Sequence, residues 1–447
     1  MTDLTTGKPL KLIVWFTIPL IIGNLFQQLY NISDTLIVGQ TLGVNALAAV
    51  GATGSINFLI LGFVQGFSSG MSILTAQRFG ASDILGVRKS YIASIWSGIL
   101  ITIIVTILSL LFIHPLLVLM QTPADIFADA QLFIVIILIG IFASMGYNIV
   151  SNALRALGDS RTPLYILIAA IIINVVVELI LILYFGMGVE GAAIATVVAQ
   201  VFSIIFGVIY INLHVPTLAI RLQDLKIDRQ EIRAHLAAGV PLGFQQSIIA
   251  IGSVTLSAAL NTLGTEAVAA NTAASKIDQI VIWVLMSFGV TMATYVAQNY
   301  GAKRYDRILQ GVSVALRVSI IVAIILGVIE LVFGRYLVQL FITSDVAHVV
   351  NLSQLYFYAN GPMYWLLAVL FILRYTLQGL GDVKTPTLAG IGELISRTIA
   401  AFLFVHWFGF FGASVANPLA FIGSLVFLVP AYIKAVRKLK EMSTTEL

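Results

Sequence analysis

The sequence predicts an all-α polytopic membrane protein whose twelve transmembrane helices form two parallel six-helix repeats, as two lobes around a central cleft. Its 447 residues are 59% hydrophobic and only 10% charged, whereas about 25% of the residues are charged in soluble proteins. Residues 90–124 and 398–433 carry no formal charge, and a transmembrane helix needs only about 20 apolar residues. Three short motifs also occur in both halves of the chain, which indicates the repeat.

Charged residues, glycines and prolines divide the apolar sequence into twelve predicted spans. The first six are predicted at residues 12–40, 46–76, 91–113, 131–154, 163–185 and 191–213. The second six are predicted at residues 236–261, 268–297, 311–333, 352–376, 387–407 and 412–434. The predicted domains are therefore an N-terminal six-helix lobe (1–213), a basic cytoplasmic linker (214–235) and a C-terminal six-helix lobe (236–447).

The positions of lysine and arginine predict that both termini are cytoplasmic, because short loops rich in these residues stay in the cytoplasm. All the basic residues except Lys276, Arg335 and Arg397 fall in the termini, at the base of the ninth span or in alternate connections. Those connections contain residues 77–90, 155–162, 214–235, 298–310 and 374–386. We therefore expect a multi-pass protein of the cell membrane.

The repeat rests on three collinear pairs of motifs: Leu-Gly-x-x-Ala-[Leu/Val]-Ala-Ala, Ala-Gln-x-[Phe/Tyr]-Gly-Ala and Leu-Gly-Asp-x-[Arg/Lys]-Thr-Pro. The pairs begin at Leu42 and Leu263, at Ala76 and Ala297, and at Leu157 and Leu380. Each half contains an even number of predicted spans, so the second half starts on the same side of the membrane as the first. The two halves are therefore predicted to be parallel repeats.

Several functional classes are excluded by composition and motifs. The apolar composition excludes a soluble enzyme, and a net charge of +4 without a basic block argues against nucleic-acid binding. The chain has no cysteine, and hence no disulfide or thiolate metal site. It also has no GxxxxGK[ST] motif for a nucleotide. Transport driven by an ion gradient is the remaining expectation.

Ionisable side chains inside spans indicate function, because a charge in the hydrocarbon region costs at least ~2.5–3.5 kcal/mol on insertion scales. Asp34 in span one and Glu178 in span five lie at similar depths. Asn174 is one helical turn from Glu178, and Thr196 in span six lies at the same depth. Such oxygen ligands suit a hard cation, and two neighbouring carboxyl groups suit a proton equally. We therefore predict that these four residues bind a coupling cation, either H⁺ or Na⁺.

The second half of the chain does not repeat this site. It carries a different charge cluster, formed by Lys276, Asp278, Glu393 and Arg397. Two interpretations of the cluster stay open: ion pairs that stabilise the lobe, or a counter-charge role for Lys276. Glu330 lies close to the predicted end of span nine, so we expect its side chain to reach the membrane interface.

The repeated loops resemble those of the multidrug and toxic compound extrusion (MATE) family. The resemblance rests on the two sets of six spans, the Gln-x-x-Gly-Ala loops and the Leu-Gly-Asp-x-[Arg/Lys]-Thr-Pro loops, and it covers essentially the whole chain. Asp34, Asn174-x-x-x-Glu178 and Thr196 resemble the coupling-cation site of the DinF-like branch of that family. The branch usually has Asp-Pro where this chain has Glu178 and Leu179.

The resemblance also implies roles for other residues of the first half. Pro19 matches the proline around which the first helix of the family is proposed to bend. Gln27, Tyr30 and Asn148 match positions that would line a substrate cavity in the N-terminal lobe.

The function implied by the resemblance is antiport, with no enzymatic activity and no cofactor other than the coupling ion. Small amphipathic organic compounds, often cationic, would be exported by alternating access in exchange for H⁺ or Na⁺, and a monomer would suffice. The expected partners are these compounds, the coupling cation and the lipid bilayer, with no nucleic acid. Two alternatives remain: a flippase for a lipid-linked substrate of the same superfamily, and an antiporter of the major-facilitator type.

Overall fold

The computed structural model describes residues 3–220, 226, 228–339 and 347–445, and these residues contain helices and no strands. The helices of the first half are α1 (Pro9–Leu42), α2 (Val44–Ala52), α3 (Gly54–Gly80), α4 (Ile84–Leu119), α5 (Ala124–Ile139), α6 (Ile141–Ala156), α7 (Arg161–Leu179) and α8 (Val189–His214). Those of the second half are α9 (Arg229–Asn261), α10 (Thr265–Gly301), α11 (Tyr305–Gln339), α12 (Ala347–Asn360), α13 (Tyr364–Gly379), α14 (Lys384–Ile399), α15 (Val405–Phe408), α16 (Phe410–Ser414) and α17 (Ala416–Thr445).

The prediction of an all-α membrane fold is confirmed. Within the described ranges, 11 helical segments are long and apolar enough to cross a bilayer, and the pair α5 and α6, bent by 44°, brings the number of spans to 12. Arg374 falls where predicted span ten (352–376) overlaps the predicted cytoplasmic connection (374–386), and its assignment to the connection is wrong. Helix α13 continues to Gly379, and Arg374 lies inside it and is buried.

Apolar side chains remain exposed along the helices, as lipid contact requires. On α4, Ile103, Ile107 and Leu111 are each more than half exposed. They recur every fourth residue and therefore share one face of the helix. This face is apolar because it meets lipid rather than water.

Contacts group the chain into two compact units. The first unit includes Ile22–Gly243, and the second includes Leu4–Ile21 and the chain from Phe244 onward. Helix α1 is therefore divided between the units shortly after Pro19, and α9 shortly after Pro241. The lobe limits at residues 213 and 236 stay a prediction, and residues 221–225 and 227 of the predicted linker lie outside the described ranges.

The repeated Leu-Gly-Asp motifs build the starts of two helices. Oδ1 of Asp159 accepts a hydrogen bond from the backbone N–H of Thr162 at 3.0 Å, and its Oδ2 accepts one from the Thr162 hydroxyl at 2.6 Å. Asp382 and Thr385 have the same two distances at the start of α14. The glycine before each aspartate has a φ of 82° or 89°, which glycine adopts at no steric cost. Each copy of the motif therefore forms a turn that caps the helix after it, α7 in the first half and α14 in the second.

Two π-helical turns occupy corresponding positions in the two halves. Helix α7 continues into one at Ile180–Tyr184, and α14 continues into the other at Ala400–Phe404. Single π turns inside α-helices are frequent at functional sites. The first of them begins two residues beyond Glu178, so the end of α7 is a candidate functional region.

Within the first unit, α3 and the start of α9 pack backbone to backbone. A Cβ atom added to Gly70 would lie 2.5 Å from the carbonyl oxygen of Ala238. One added to Gly239 would lie 2.7 Å from the ring of Phe67. Only glycine permits so close an approach at these two positions, and this contact anchors the first turns of α9 on the first unit.

Candidate functional site

Helix α7 directs two polar side chains into the interior of the first unit. Asn174 and Glu178 are one turn apart on the same face, and their side chains are 1% and 0% exposed. All the residues between them are apolar, so the polar pair stands alone on an apolar helix. Burial of a polar group costs free energy unless it has a partner, and the partners come from α1 and α8.

Helix α1 supplies Asp34 and Tyr30, which are also one turn apart. The carboxyl groups of Asp34 and Glu178 lie within hydrogen-bonding reach of each other. The phenolic oxygen of Tyr30 is 3.1 Å from the hydroxyl oxygen of Thr196 on α8. Three helices therefore meet at one polar site, which we call the N-site and define by Tyr30, Asp34, Asn174, Glu178 and Thr196.

Thr196 on α8 forms hydrogen bonds with residues of all three helices of the N-site. Its hydroxyl donates to the carbonyl oxygen of Ala192 at 3.1 Å, and its oxygen accepts from the amide of Asn174 at 3.4 Å. Since the threonine hydrogen is used toward Ala192, Tyr30 is the donor in its contact with Thr196. The structure thus brings together all four residues of the predicted coupling site, and it adds Tyr30.

Four buried oxygen atoms of the N-site accept no hydrogen bond from the described part of the protein. They are Oδ1 of Asp34, Oδ1 of Asn174, and Oε1 and Oε2 of Glu178. A buried acceptor without a donor costs about 1–3 kcal/mol, and more if it is charged. A proton shared between the carboxyl groups, or a hard cation bound by the oxygens, would satisfy them. The N-site is therefore chemically suited to hold a cation.

The other residues predicted in the first half lie apart from these oxygens or at their margin. Gln27 is on α1, close to one turn before Tyr30, and is half-buried. Asn148 is half-buried on α6, and its amide donates to the carbonyl oxygen of Ser144 at 2.8 Å. Pro19 lies in α1 within the segment that belongs to the second unit. A role in substrate binding or bending stays a prediction for all three.

The four charged residues predicted as a cluster in the second half do not form a single group. Glu393 forms an ion pair with Arg374 and lies 3.9 Å from Arg397. Asp278 instead accepts hydrogen bonds from tyrosine hydroxyls, and the side chain of Lys276 is exposed. Arg374 was not predicted as part of the cluster, because it was counted among the basic residues of the connection 374–386.

Glu330 differs most from its sequence-based expectation. It was expected to reach the membrane interface, but only 2% of its surface is exposed. Its Oε2 lies 2.5 Å from the hydroxyl of Tyr364, a contact between α11 and α13. The sequence did contain a signal for this contact. Span ten is rich in aromatic residues, and two of its tyrosines, Tyr356 and Tyr364, contact buried acids.

A family model described as MatE matches this chain twice, at residues 19–180 and at residues 241–403. The two matches cover more than half of the chain. They begin at the equivalent prolines of α1 and α9, so they also confirm the internal repeat.

Curated relatives match over nearly the whole chain. The chain is 29% identical over 434 residues to the "Probable multidrug resistance protein YpnP" of Bacillus subtilis, with 94% of each protein covered. It is 25% identical over 375 residues to the "DNA damage-inducible protein F" of Escherichia coli, covering 81% of this chain and 78% of the relative.

Among solved structures, the fold is similar to one described as the "Outward-facing conformation of a multidrug resistance MATE family transporter of the MOP superfamily". The TM-score is 0.88 and the sequence identity is 23%, with 99% of this chain and 98% of that chain covered. At this identity the likeness concerns the fold.

Proposed function

The chain belongs to the MatE family of membrane transporters, and on this premise we propose that it is a cation-coupled multidrug antiporter. It exports small amphipathic organic compounds, often cationic, across the cell membrane. Both of its termini lie in the cytoplasm, it works as a monomer, and it catalyses no chemical reaction. The relatives named for multidrug resistance support the substrate class, and the N-site supports the coupling.

The observation that carries the coupling proposal is the set of four unsatisfied oxygens at the N-site. Two carboxylates in the hydrocarbon region would each cost at least ~2.5–3.5 kcal/mol, and each would also repel the other. A bound cation removes most of this cost. The N-site is therefore suited to bind a cation, and it couples this binding to transport where its affinity differs between the two states.

The contact between Asp34 and Glu178 favours H⁺ over Na⁺ as the coupling ion. Carboxyl groups within hydrogen-bonding reach of each other can share one proton without further ligands. A metal cation would need several oxygens around it, and the hydroxyl oxygen of Thr196 already accepts hydrogen bonds from Asn174 and Tyr30. Sodium remains the alternative, which the experiment below distinguishes.

Coupling follows if occupancy of the N-site differs between the states that face the two sides of the membrane. A bound ion shifts such an equilibrium only by its different affinity for the two states. Asp34 is on α1 and Glu178 on α7, so a movement of α1 separates the carboxyl groups and releases the ion. Entry of a proton restores the contact and favours release of the drug.

A flippase for a lipid-linked diphosphate is the second candidate, and the charges of the second unit disfavour it. A diphosphate site needs free basic groups, whereas Arg374 and Arg397 both lie against Glu393. The exposed Lys276 is the remaining basic residue of the predicted cluster, and one cation does not balance a diphosphate.

The proposal is tested with purified protein in liposomes and ethidium as the transported probe. Ethidium movement is followed under an imposed pH gradient and then under a Na⁺ gradient, for the wild type and for Asp34→Asn. We expect movement under the pH gradient, reduced about 5–150-fold in the variant, the range typical of energetic coupling between sites.

The matched control is Asp129→Asn, since Asp129 is an exposed acid on α5. This variant should transport at the rate of the wild type. Movement under the Na⁺ gradient alone would assign Na⁺ as the coupling ion. Unchanged pH-driven transport by Asp34→Asn, with folded protein, would contradict coupling at the N-site.

A further inference from the structure

The second unit contains a buried cluster of acids and tyrosines that the proposed function does not use. Asp278 on α10 and Glu330 on α11 are 4% and 2% exposed, and Tyr364 at the start of α13 is 1% exposed. We call Asp278, Tyr364 and Glu330, with the neighbouring Tyr356, the C-site. It does not repeat the N-site, because its acids are on the second and third spans of their half, whereas those of the N-site are on the first and fifth.

The hydroxyl of Tyr364 bridges the two acids. Its oxygen is 2.6 Å from Oδ1 of Asp278 and 2.5 Å from Oε2 of Glu330. A phenol has a single hydrogen, so it can donate to only one of the two carboxyl groups. Contacts as short as these are hydrogen bonds to ionised or acidic groups. The other carboxyl group must therefore be protonated and must donate to the phenolic oxygen.

The remaining hydrogen bonds indicate which acid holds the proton. Oδ2 of Asp278 accepts from the hydroxyl of Tyr356 at 2.7 Å, and Tyr356 in turn accepts from the amide of Asn417 at 3.1 Å. Asp278 thus has a hydroxyl at each oxygen, which suits a carboxylate. Oε1 of Glu330 is buried and has no partner within the described part of the chain, which suits a neutral acid. The proton therefore belongs to Glu330.

The charge balance of the second unit agrees with one bound proton. Among the described residues of this unit, the buried acids are Asp278, Glu330 and Glu393, and the buried bases considered with them are Arg374 and Arg397. Glu393 lies against both arginines, as an ion pair with Arg374 and at 3.9 Å from Arg397. With Glu330 neutral, two negative charges meet two positive charges.

The other charged groups of α10, α11 and α12 do not alter this count. The buried Arg307, at the opposite end of α11 from Glu330, donates a hydrogen bond to Asn299. The exposed groups are Glu266, Lys276, Asp306, Arg317, Arg335 and His348. Glu266 and His348 also lie 3.6 Å from each other. Loss of the Glu330 proton would therefore leave one negative charge without a buried partner.

We propose that Asp278, Tyr364 and Glu330 form a second proton-binding site, which carries one proton on Glu330 and exchanges it during each transport cycle. The use of this proton in transport rests on the proposed antiport function, whereas its presence does not. Tyr364 follows directly after the 3₁₀ turn Gly361–Met363, which interrupts the span between α12 and α13. A change at this interruption would withdraw the bridging hydroxyl, and the proton would then pass from Glu330 to water.

Infrared spectroscopy of the purified protein tests for the proton itself. The spectrum of the wild type at neutral pH should contain the carbonyl stretch of a protonated carboxylic acid that is missing from Glu330→Gln. The nearly isosteric Tyr364→Phe should keep this band but shift it, because the acid loses its hydrogen-bond acceptor. Glu266→Gln and Tyr358→Phe, which change exposed residues of α10 and α12, should leave the band unchanged. An unchanged band in Glu330→Gln would overturn the proposal, and an unchanged band in Tyr364→Phe would overturn the bridge through Tyr364.

The ratio of protons to ethidium, measured from the pH gradient that halts net flux in liposomes, tests the use of the proton. We expect Glu330→Gln to lower the ratio by one proton while transport continues through the N-site. A ratio equal to that of the wild type would overturn the role in transport. The two proposals can be contradicted separately. The transport rate of Asp34→Asn tests coupling at the N-site, whereas the infrared band of Glu330 tests proton binding at the C-site and does not require transport.

Discussion

The carboxyl groups of Asp34 and Glu178 come within hydrogen-bonding reach of each other although one is on the first helix of the chain and the other on the seventh. Three of their four oxygens have no donor in the described part of the protein. The contact therefore stores an unfavourable interaction that a cation relieves. This is the physical basis for placing ion coupling at the N-site, and it leads to tests beyond the removal of Asp34.

The length of the Glu178 side chain, as well as its charge, should affect coupling. We expect Glu178→Gln to lose pH-driven ethidium transport, because the amide cannot bind and release a proton. Glu178→Asp keeps the charge but is one methylene shorter. It should retain coupling with a loss of about tenfold at most, since one hydrogen bond contributes roughly 0.5–1.5 kcal/mol.

Initial rates of transport in liposomes measure both Glu178 variants, with the exposed Glu266→Gln as the control. Equal activities of Glu178→Gln and the wild type would contradict a protonatable role for this side chain.

Thr196 should be important for the stability of the first unit. In Thr196→Val the buried amide of Asn174 and the hydroxyl of Tyr30 lose their shared partner. We expect the free energy of unfolding to fall by about 1–3 kcal/mol, the cost of leaving buried polar groups unsatisfied. Thermal unfolding in detergent measures the effect. Thr272→Val, which changes an exposed threonine bonded only within its own helix, should have almost no effect, and equal shifts in the two variants would count against the role of Thr196.

The close contact between α3 and α9 should not tolerate a side chain. Gly70→Ala would place a methyl group 2.5 Å from the carbonyl oxygen of Ala238, and we expect a destabilisation of about 1–3 kcal/mol from the forced shift. Gly51→Ala is the matched control, because no atom lies within 4 Å of its added Cβ. That variant should be neutral or stabilising by about 0.4–1 kcal/mol. A Gly70→Ala protein that unfolds at the wild-type temperature would show that the helices can separate without cost.

The two capping aspartates should contribute equally and independently. Asp159→Ala and Asp382→Ala each remove two hydrogen bonds from backbone N–H groups and one from a threonine hydroxyl. Each should lower the free energy of unfolding by about 0.5–2 kcal/mol, and the double variant should show the sum, because each aspartate caps a different helix. Asn is also a good capping residue, so Asp159→Asn should retain most of the stability. A double variant no less stable than either single variant would contradict independent caps.

The N-site could be predicted from the sequence because depth alone brings its members together. Asp34, Glu178 and Thr196 lie at similar distances from the ends of their spans, and polar side chains in apolar helices turn toward the interior. Their spans, the first, fifth and sixth, also belong to a single repeat. Tyr30 was identified only through the family resemblance, which assigned it to a cavity rather than to a hydrogen bond with Thr196.

The C-site could not be predicted in the same way, because it depends on how far each helix extends and how it is rotated. Helix α11 continues to Gln339, so Glu330 lies further from the end of the helix than the predicted span allowed. The bridge from Tyr364 also depends on the 3₁₀ turn before α13. Helices that are apolar on all sides give no periodic signal of which face meets a neighbour, so pairings such as Arg374 with Glu393 appear only in three dimensions.

The buried acids occupy different positions in the two otherwise similar halves, so one half cannot replace the other. A chain made of two copies of the first half would keep both capping turns, both π turns and both first-helix prolines. It would contain the Asp34 and Glu178 pair twice, and it would lack Asp278, Glu330 and the two arginines that balance them. Such a symmetric protein would still bind two protons, but at two identical carboxyl pairs, so both protons would be released over the same range of pH. Fusion of unlike halves thus allows the proton affinity of one half to differ from that of the other.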